Sequence, residues 1–170
     1  MRAVVIEYDQ FASPIGDVEL YVLDDTLIAL DFGDCQERTS AILNKRFDAW
    51  ERRDVKDPAG VTTRTAAYFA GDEHAFDGLA VEPGGTAFQA SVWQELRTIP
   101  WGATENYGQL AARLNRPTAS RAVGAANGQN PIALVLPCHR VIGANGNLTG
   151  YAGGLERKQW LLIHEGALLL

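Results

Sequence analysis

One short stretch constrains the fold more than any other part of the chain. Positions 132–136 are all apolar, Pro137 follows them, and then come Cys138, His139 and Arg140. A continuous apolar run of this length predicts a short strand that is covered on both faces. Because proline has no N–H, Pro137 cannot continue a central strand, and the chain is expected to leave the core at Cys138. An isolated cysteine is usually a packing residue, but a thiol beside an imidazole and a guanidinium is placed for chemistry.

The remaining cysteine and histidine residues show neither a metal-site pattern nor a disulfide framework. The chain has two cysteines, Cys35 and Cys138, and three scattered histidines, His74, His139 and His164, so zinc-ligand spacing is absent. This cysteine usage favours a reducing compartment, and no stretch is long and apolar enough for a membrane span or a secretory signal. We therefore expect a cytoplasmic protein with no metal site and no membrane segment.

Charge is distributed unevenly along the 170 residues. Residues 1–85 carry 8 Lys/Arg and 17 Asp/Glu, whereas residues 86–170 carry 7 and 4, so the net charges are −9 and +3. The basic half is the one suited to phosphates, with a small and salt-sensitive footprint. The change coincides with the turn-forming segment Glu82-Pro83-Gly84-Gly85, which predicts two domains, 1–84 and 85–170.

The first domain is predicted to be a scaffold of mixed sheet and helix. Apolar runs and alternation between turn residues indicate three strands, at 3–8, 18–23 and 27–32. Helical spacing predicts a helix at 36–50 and another at about 62–70, with Thr62 as a possible N-cap of the second. Cys35 lies among aspartates that disfavour a thiolate, so we interpret it as a packing residue.

The second domain is predicted to be largely helical. An apolar stripe that ends at Pro100 predicts a first helix, which carries Phe88, Val92, Leu96 and Ile99. Two short helices, 107–115 and 118–127, flank the break Arg116-Pro117 and suggest a helix-turn-helix. The last helix is predicted at 155–165, with Trp160 and Ile163 on its core face and Gly166 beyond its end.

The helix at 118–127 consists almost wholly of small residues apart from Arg121 and Val123. Close helix packing would explain this in part, but a smooth surface with one projecting arginine can also lie in a DNA groove. Because side chains that read bases are few, a sequence-independent mode with one inserted side chain fits better.

The segment 149–154 is rich in glycine. It is a flexible loop in the plainest interpretation, and it lacks the Lys-Ser/Thr of a P-loop. The alternative is a pocket wall with Tyr151 as its aromatic face.

Residues 86–166 resemble the C-terminal domain of the O6-alkylguanine-DNA alkyltransferases. The motifs that carry the resemblance are TAFQASVWQELRTIPWG, NYGQLA, SRAVGAANGQNPIALVLPCHRVIG, LTGYAGG and RKQWLLIHEG. The first half is similar to the family more weakly, through SPIGDVEL and AYFAG. The resemblance is to the bacterial constitutive two-domain type, and it implies an α+β fold. That fold would combine a ribonuclease H-like N-terminal domain with a winged-helix-like C-terminal domain that contains the helix-turn-helix.

The resemblance implies direct reversal of DNA damage without a cofactor. The alkyl group of O6-alkylguanine, and also of O4-alkylthymine, would pass irreversibly to Cys138 in a single turnover, after the nucleotide is flipped out of double-stranded DNA. His139 would reach the thiol through a water, and Glu165 would orient the imidazole. Tyr107 would assist rotation of the phosphate and donate a hydrogen bond to the departing guanine.

The resemblance also assigns residues to DNA and to the base pocket. Arg121 would be the finger that fills the vacated stack. The other residues expected to contact DNA are Tyr107, Thr118, Ala119, Ser120, Ala122, Asn127 and Gly128. The pocket residues implied are Asn130, which also resembles a hinge, together with Val141, Tyr151, Ala152 and Gly153. Arg140 is expected to brace the loop, and the protein to act as a monomer, with cooperative binding along DNA left open.

Few residues depart from the family pattern. Asn106 stands where serine is common, and we expect little effect. Ala152 stands where some members carry serine, which leaves only its backbone N–H for the guanine O6. A non-catalytic DNA-damage sensor and a cysteine hydrolase remain alternatives: intact Cys138 argues against the first, and the lack of an evident oxyanion hole against the second.

Overall fold

Two adjacent glycines mark the division of the chain. The computed structural model describes residues 2–169, which fall into two units, one ending at Gly84 and one beginning at Gly85. Both glycines have positive φ, 71° and 80°. A Cβ on Gly85 would lie 2.6 Å from the Trp93 ring, so only glycine fits this backbone.

The sheet of the first unit has four strands in the order β3-β2-β1-β4. They are β1 (Val4–Ser13), β2 (Gly16–Leu23), β3 (Thr26–Phe32) and β4 (Trp50–Asp54). The first three form an antiparallel meander, and β4 pairs parallel to β1. Asp24 and Asp25 join β2 to β3 with φ of 50° and 59°, the left-handed conformation that two-residue hairpin loops require.

Two helices accompany this sheet, α1 (Gln36–Arg46) and α2 (Val61–Phe69). A buried cluster includes Ile6, Tyr8, Tyr21, Ile28 and Leu43, the last of which comes from α1. Apolar side chains on one helix face and one sheet face therefore form a shared core.

Two predictions for this unit are wrong. The helix expected at 36–50 ends at Arg46, and residues 50–54 form β4, a strand whose charged side chains are exposed and show no apolar alternation. Thr62 is not the N-cap of α2, since that position belongs to Gly60. The Thr62 hydroxyl instead donates to Asp9 at 2.6 Å.

Residues 85–169 of the second unit contain four α-helices, one 3-10 turn and one short parallel strand pair. The helices are α3 (Ala87–Leu96), α4 (Tyr107–Arg113), α5 (Ser120–Gly128) and α6 (Leu155–His164), and the strands are β5 (Glu105–Asn106) and β6 (Val141–Ile142). Thr86 and Gln89 form a capping box at the start of α3, which satisfies N–H groups that a helix leaves unpaired. Gly166 follows α6 with φ of 77°, as predicted.

The apolar run 132–136 is buried but is not a strand. Leu134 has φ of 69°, and the Leu136 N–H donates to the Ile132 carbonyl at 3.1 Å, so the backbone turns. The side chain of Asn130 stabilises the turn, because its Nδ2 donates to Leu136 O at 2.6 Å and its Oδ1 accepts from Ile132 N at 3.0 Å. An apolar run indicates burial, and a buried turn meets that condition when a side chain satisfies its polar groups.

Within residues 2–169 the fold is therefore α+β, with a four-stranded sheet, a short strand pair and six α-helices. No helix in this part of the chain is long and apolar enough to cross a membrane.

Candidate active site

Cys138 is the first residue of a 3-10 turn, Cys138–Arg140, that follows directly after Pro137. Its side chain is buried, with 7% of the residue exposed. The Cys138 N–H donates to Leu136 O at 2.7 Å, and its carbonyl accepts from Asn127 Nδ2 on α5 at 3.3 Å. The thiol-bearing residue is thus held both by its own loop and by α5.

His139 and Glu165 form a fully buried pair beside this cysteine. His139 Nε2 lies 2.8 Å from Glu165 Oε2, and Glu165 is the C-cap residue of α6. Among the described residues, His139 Nδ1 has no hydrogen-bond partner. In the neutral ring, donation from Nε2 to the carboxylate makes Nδ1 the basic nitrogen. The structure therefore brings these two predicted site residues together and leaves His139 Nδ1 able to accept a proton.

Arg140 fixes the other side of the same carboxylate. Its Nε donates to Glu165 Oε1 at 2.8 Å, its Nη2 donates to Oε2 at 3.0 Å, and its Nη1 donates to Ile99 O at 2.6 Å. Burial alone would raise the pKa of Glu165, but the charges and hydrogen bonds of His139 and Arg140 outweigh it and hold that pKa well below its usual range. Glu165 is therefore ionised, and Arg140 braces it.

Lys158 is a site residue that sequence reasoning missed. It is fully buried on α6, and its Nζ donates to Val141 O at 2.6 Å and to Thr149 O at 2.7 Å. Burial lowers the pKa of Lys158 to about 8, and a negative charge on Cys138 acts in the opposite direction. The buried ammonium group thus ties β6 to the glycine-rich segment.

The core face of α6 explains why Lys158 was missed. Lys158, Leu161, Leu162 and Glu165 are buried, whereas the predicted core residues Trp160 and Ile163 are only partly buried. The spacing i, i+3, i+4, i+7 was visible in the sequence. It does not predict a buried face, because the stripe begins and ends with a charge, and buried charges are rare unless they are paired.

Tyr107 is the first residue of α4, and its side chain lies near α5 and the glycine-rich segment 149–154. Asn106 is the N-cap and forms a capping box with Gln109. The Tyr107 hydroxyl lies 2.9 Å from Thr149 Oγ1, and a Cβ on Gly124 of α5 would lie 3.6 Å from its ring. The ring is therefore placed between α5 and the glycine-rich segment.

Most residues expected to contact DNA lie on or beside the outer face of α5. Arg121 and Ala122 are exposed, as are Thr118 and Gly128, while Ala119 and Ser120 are partly buried. Because Ala122 is exposed, its small side chain is not explained by close helix packing. On the opposite side, Trp93 Nε1 donates to Ala126 O at 2.8 Å, which anchors α5 to α3.

Asn127 is a correction to the predicted DNA-contact set. Only 4% of this residue is exposed, and its amide is directed to the Cys138 carbonyl. Because most side chains of α5 are small, the sequence of this helix does not indicate which face is buried. That face is defined by packing against α3. Asn127 is a link from α5 to the cysteine turn.

The predicted pocket residues occupy two different environments. Asn130 and Val141 are buried; the Asn130 amide holds the turn 132–136, and the Val141 carbonyl accepts from Lys158. Tyr151 and Gly153 are partly buried and Ala152 is exposed, in a turn closed by the Gly154 N–H donating to Tyr151 O at 2.9 Å. Among residues 2–169, no group of three or more His, Cys, Asp or Glu residues could hold a metal ion.

Comparison with known proteins shows what this chain is similar to. Residues 87–167 match the family model described as 6-O-methylguanine DNA methyltransferase, DNA binding domain. The chain is 51% identical over 167 residues to the methylated-DNA–protein-cysteine methyltransferase of Salmonella typhimurium, covering 95% of this chain and 96% of that one. It is 45% identical to the relative of the same name from Mycolicibacterium paratuberculosis over 164 residues, covering 95% and 93%.

A solved structure extends the similarity to three dimensions. The crystal structure of Mycobacterium tuberculosis OGT in complex with DNA is 40% identical and superposes with a TM-score of 0.81, covering 95% of this chain and 93% of that chain. The chain therefore belongs to the methylated-DNA–protein-cysteine methyltransferase family.

Proposed function

We propose that the protein repairs DNA by moving an alkyl group from the O6 atom of guanine to Cys138. O4-alkylthymine is a second expected substrate. The observation that carries the proposal is the Cys138 turn: Cys138 directly precedes His139 of the buried His139–Glu165 pair, and its backbone carbonyl accepts from Asn127 Nδ2 of α5. In the reaction, a bond forms between Cys138 Sγ and the alkyl carbon as the carbon–O6 bond breaks. The guanine leaves with the electron pair, and a thioether has no easy return to a thiol.

Thiolate formation is the first requirement, since the thiolate is the nucleophile. The thiol proton would pass through a water to His139 Nδ1, and the resulting imidazolium would be stabilised by ionised Glu165. Lys158 adds a nearby buried positive charge. As guanine departs, the Tyr107 hydroxyl would donate a hydrogen bond to it.

Access to the target requires the nucleotide to leave the duplex, because its O6 atom lies within the base stack. Exposed Arg121, with small neighbours on α5, suits insertion into the stack while the backbone approaches phosphates. Tyr151, Ala152 and Gly153 would complete the pocket wall, with backbone groups of Cys138 and Val141.

The finer fold assignment is part of the same proposal. The strand order β3-β2-β1-β4, with β4 parallel to β1, supports a ribonuclease H-like scaffold for residues 1–84. The α4–α5 pair and the short β5–β6 pair support a winged-helix-like DNA-binding domain for residues 85–170. We further infer a cytoplasmic monomer.

The decisive experiment mixes the protein with a duplex that contains O6-methylguanine and measures intact mass. We expect a gain of one methyl group, mapped by peptide analysis to Cys138. Cys35→Ser is the matched control and should gain the methyl group in the same way, whereas Cys138→Ser should gain none. An adduct on Cys35 would overturn the role of Cys138, and binding without any adduct would favour the damage-sensor alternative.

A further inference from the structure

Arg116 lies in the turn between α4 and α5 and is held from both helices. Its N–H donates to Ala111 O at 2.9 Å, and its carbonyl accepts from Ala119 N at 2.9 Å. The residue is exposed, and its guanidinium lies over the ring of Phe88 on α3, 5.4 Å from the centroid. A cation–π contact restricts a long side chain without neutralising its charge. Arg116 therefore presents a positive charge at a defined place on the surface.

The surrounding segment contains no opposing carboxylate. No Asp or Glu occurs from 106 to 155, and the segment carries four arginines. Arg140 is buried against Glu165, and Arg113 is paired with Glu95 and Glu105. Arg116 and Arg121 remain, and no carboxylate among residues 2–169 forms an ion pair with either. A segment with two uncompensated arginines and no acid suits a polyanion.

We propose that Arg116 is a fixed phosphate contact that positions the duplex for the side chain of Arg121. This inference rests on the proposed function. Contacts to phosphates set the register of a protein on DNA, and Arg116 stands in the turn that leads into the helix bearing Arg121. Its guanidinium can donate two hydrogen bonds to one phosphate. Arg116 is a positioning residue that does not touch the alkylated base.

The test is equilibrium binding to an unmodified DNA duplex at several salt concentrations. Arg116→Ala should weaken binding about tenfold at low salt. It should also reduce the slope of log K against log salt by about 0.9, the value for one phosphate contact. Arg116→Lys keeps the charge and should keep the slope. Phe88→Leu removes the ring, and should weaken binding about threefold with an unchanged slope.

Lys45→Ala is the control for generic loss of a charge, since Lys45 is an exposed cation near the end of α1 in the other unit. It should change neither affinity nor slope. All variants should react with free O6-benzylguanine at the wild-type rate, which also shows that the site is folded.

A wild-type protein that does not bind the duplex would contradict the proposed function. Wild-type binding with an unchanged slope in Arg116→Ala would overturn the role of Arg116 alone, and a reduced slope in Phe88→Leu would overturn the role of the ring.

Discussion

At the residue scale, the site is organised around one buried carboxylate. Glu165 accepts from His139 on one side and from Arg140 on the other, so each of the three charged or polar groups compensates the burial of the others. Removing one member of such a set leaves an uncompensated buried charge, which costs about 3–5 kcal/mol. The same carboxylate therefore contributes to stability and to orientation of the imidazole.

Glu165→Gln should lower both the alkylation rate and the free energy of unfolding, the latter by about 3 kcal/mol. The folded pKa of Glu165 lies below its unfolded value of about 4.3, so its stabilisation is complete above that pH and is lost as pH falls towards the folded pKa. Urea unfolding at neutral and acidic pH measures this. The free energy of unfolding of Glu165→Gln should fall less between neutral and acidic pH than that of the wild type. Glu156→Gln, at the exposed start of α6, should behave as wild type.

Arg121→Ala should impair repair of duplex DNA far more than reaction with free O6-benzylguanine. The side chain is exposed and, among residues 2–169, forms no hydrogen bond or ion pair with the cysteine turn, so its loss should affect insertion into the stack and leave the thiol chemistry intact. Single-turnover rates with both substrates give the comparison. Equal losses for the two substrates would contradict the finger role.

At the element scale, capping decides where the helices that carry the site begin. Asn106 and Gln109 satisfy each other's backbone N–H groups at 2.8 and 2.9 Å, and this places Tyr107 at the first position of α4. The departure from serine at position 106 is therefore structurally neutral, because asparagine and serine are both good N-caps. Helix ends of this kind are readable from sequence, since their hydrogen bonds are local.

Asn106→Ala should destabilise the protein by about 1 kcal/mol through loss of the cap, and it should slow alkyl transfer by loosening Tyr107. Asn106→Ser is the matched control, and it should be destabilised by only about a few tenths of a kcal/mol. Chemical denaturation and single-turnover kinetics measure the two effects. If serine is as damaging as alanine, the amide of Asn106 has a role beyond capping.

The elements that were mispredicted share a physical cause. Positions 132–136 form a turn because both ends of that turn hydrogen-bond to the Asn130 side chain, and β4 forms because its backbone pairs with β1. Neither fact is encoded in local periodicity, which reports only whether a residue faces the core.

At the scale of the whole molecule, the acidic first unit and the basic second unit have opposite effects on association with DNA. A net charge of −9 on residues 1–85 repels phosphates at long range, and this repulsion decays over a Debye length of about 10 Å at 0.1 M salt. The contribution of the first unit should therefore be kinetic and dependent on salt.

The double variant Asp24→Asn, Asp25→Asn removes two of these charges at positions with positive φ, which asparagine tolerates. It should associate with DNA roughly twofold faster at low salt and at the wild-type rate near physiological salt. Stopped-flow association at both salt concentrations tests this. An acceleration that persists at high salt would indicate a direct contact and contradict long-range repulsion.

The sequence by itself determined the α+β class, most helices and the uneven charge, and through the order of its family motifs it singled out Cys138, His139 and Glu165 as candidate site residues. These features depend on local hydrogen bonds, periodicity and motif order. Only the tertiary structure decided that Lys158 is buried against carbonyl groups, that Asn127 is directed inward to Cys138, and that the run before Pro137 turns. A buried charge or amide is tolerated only where distant parts of the chain bring partners to it, and those partners are defined by packing.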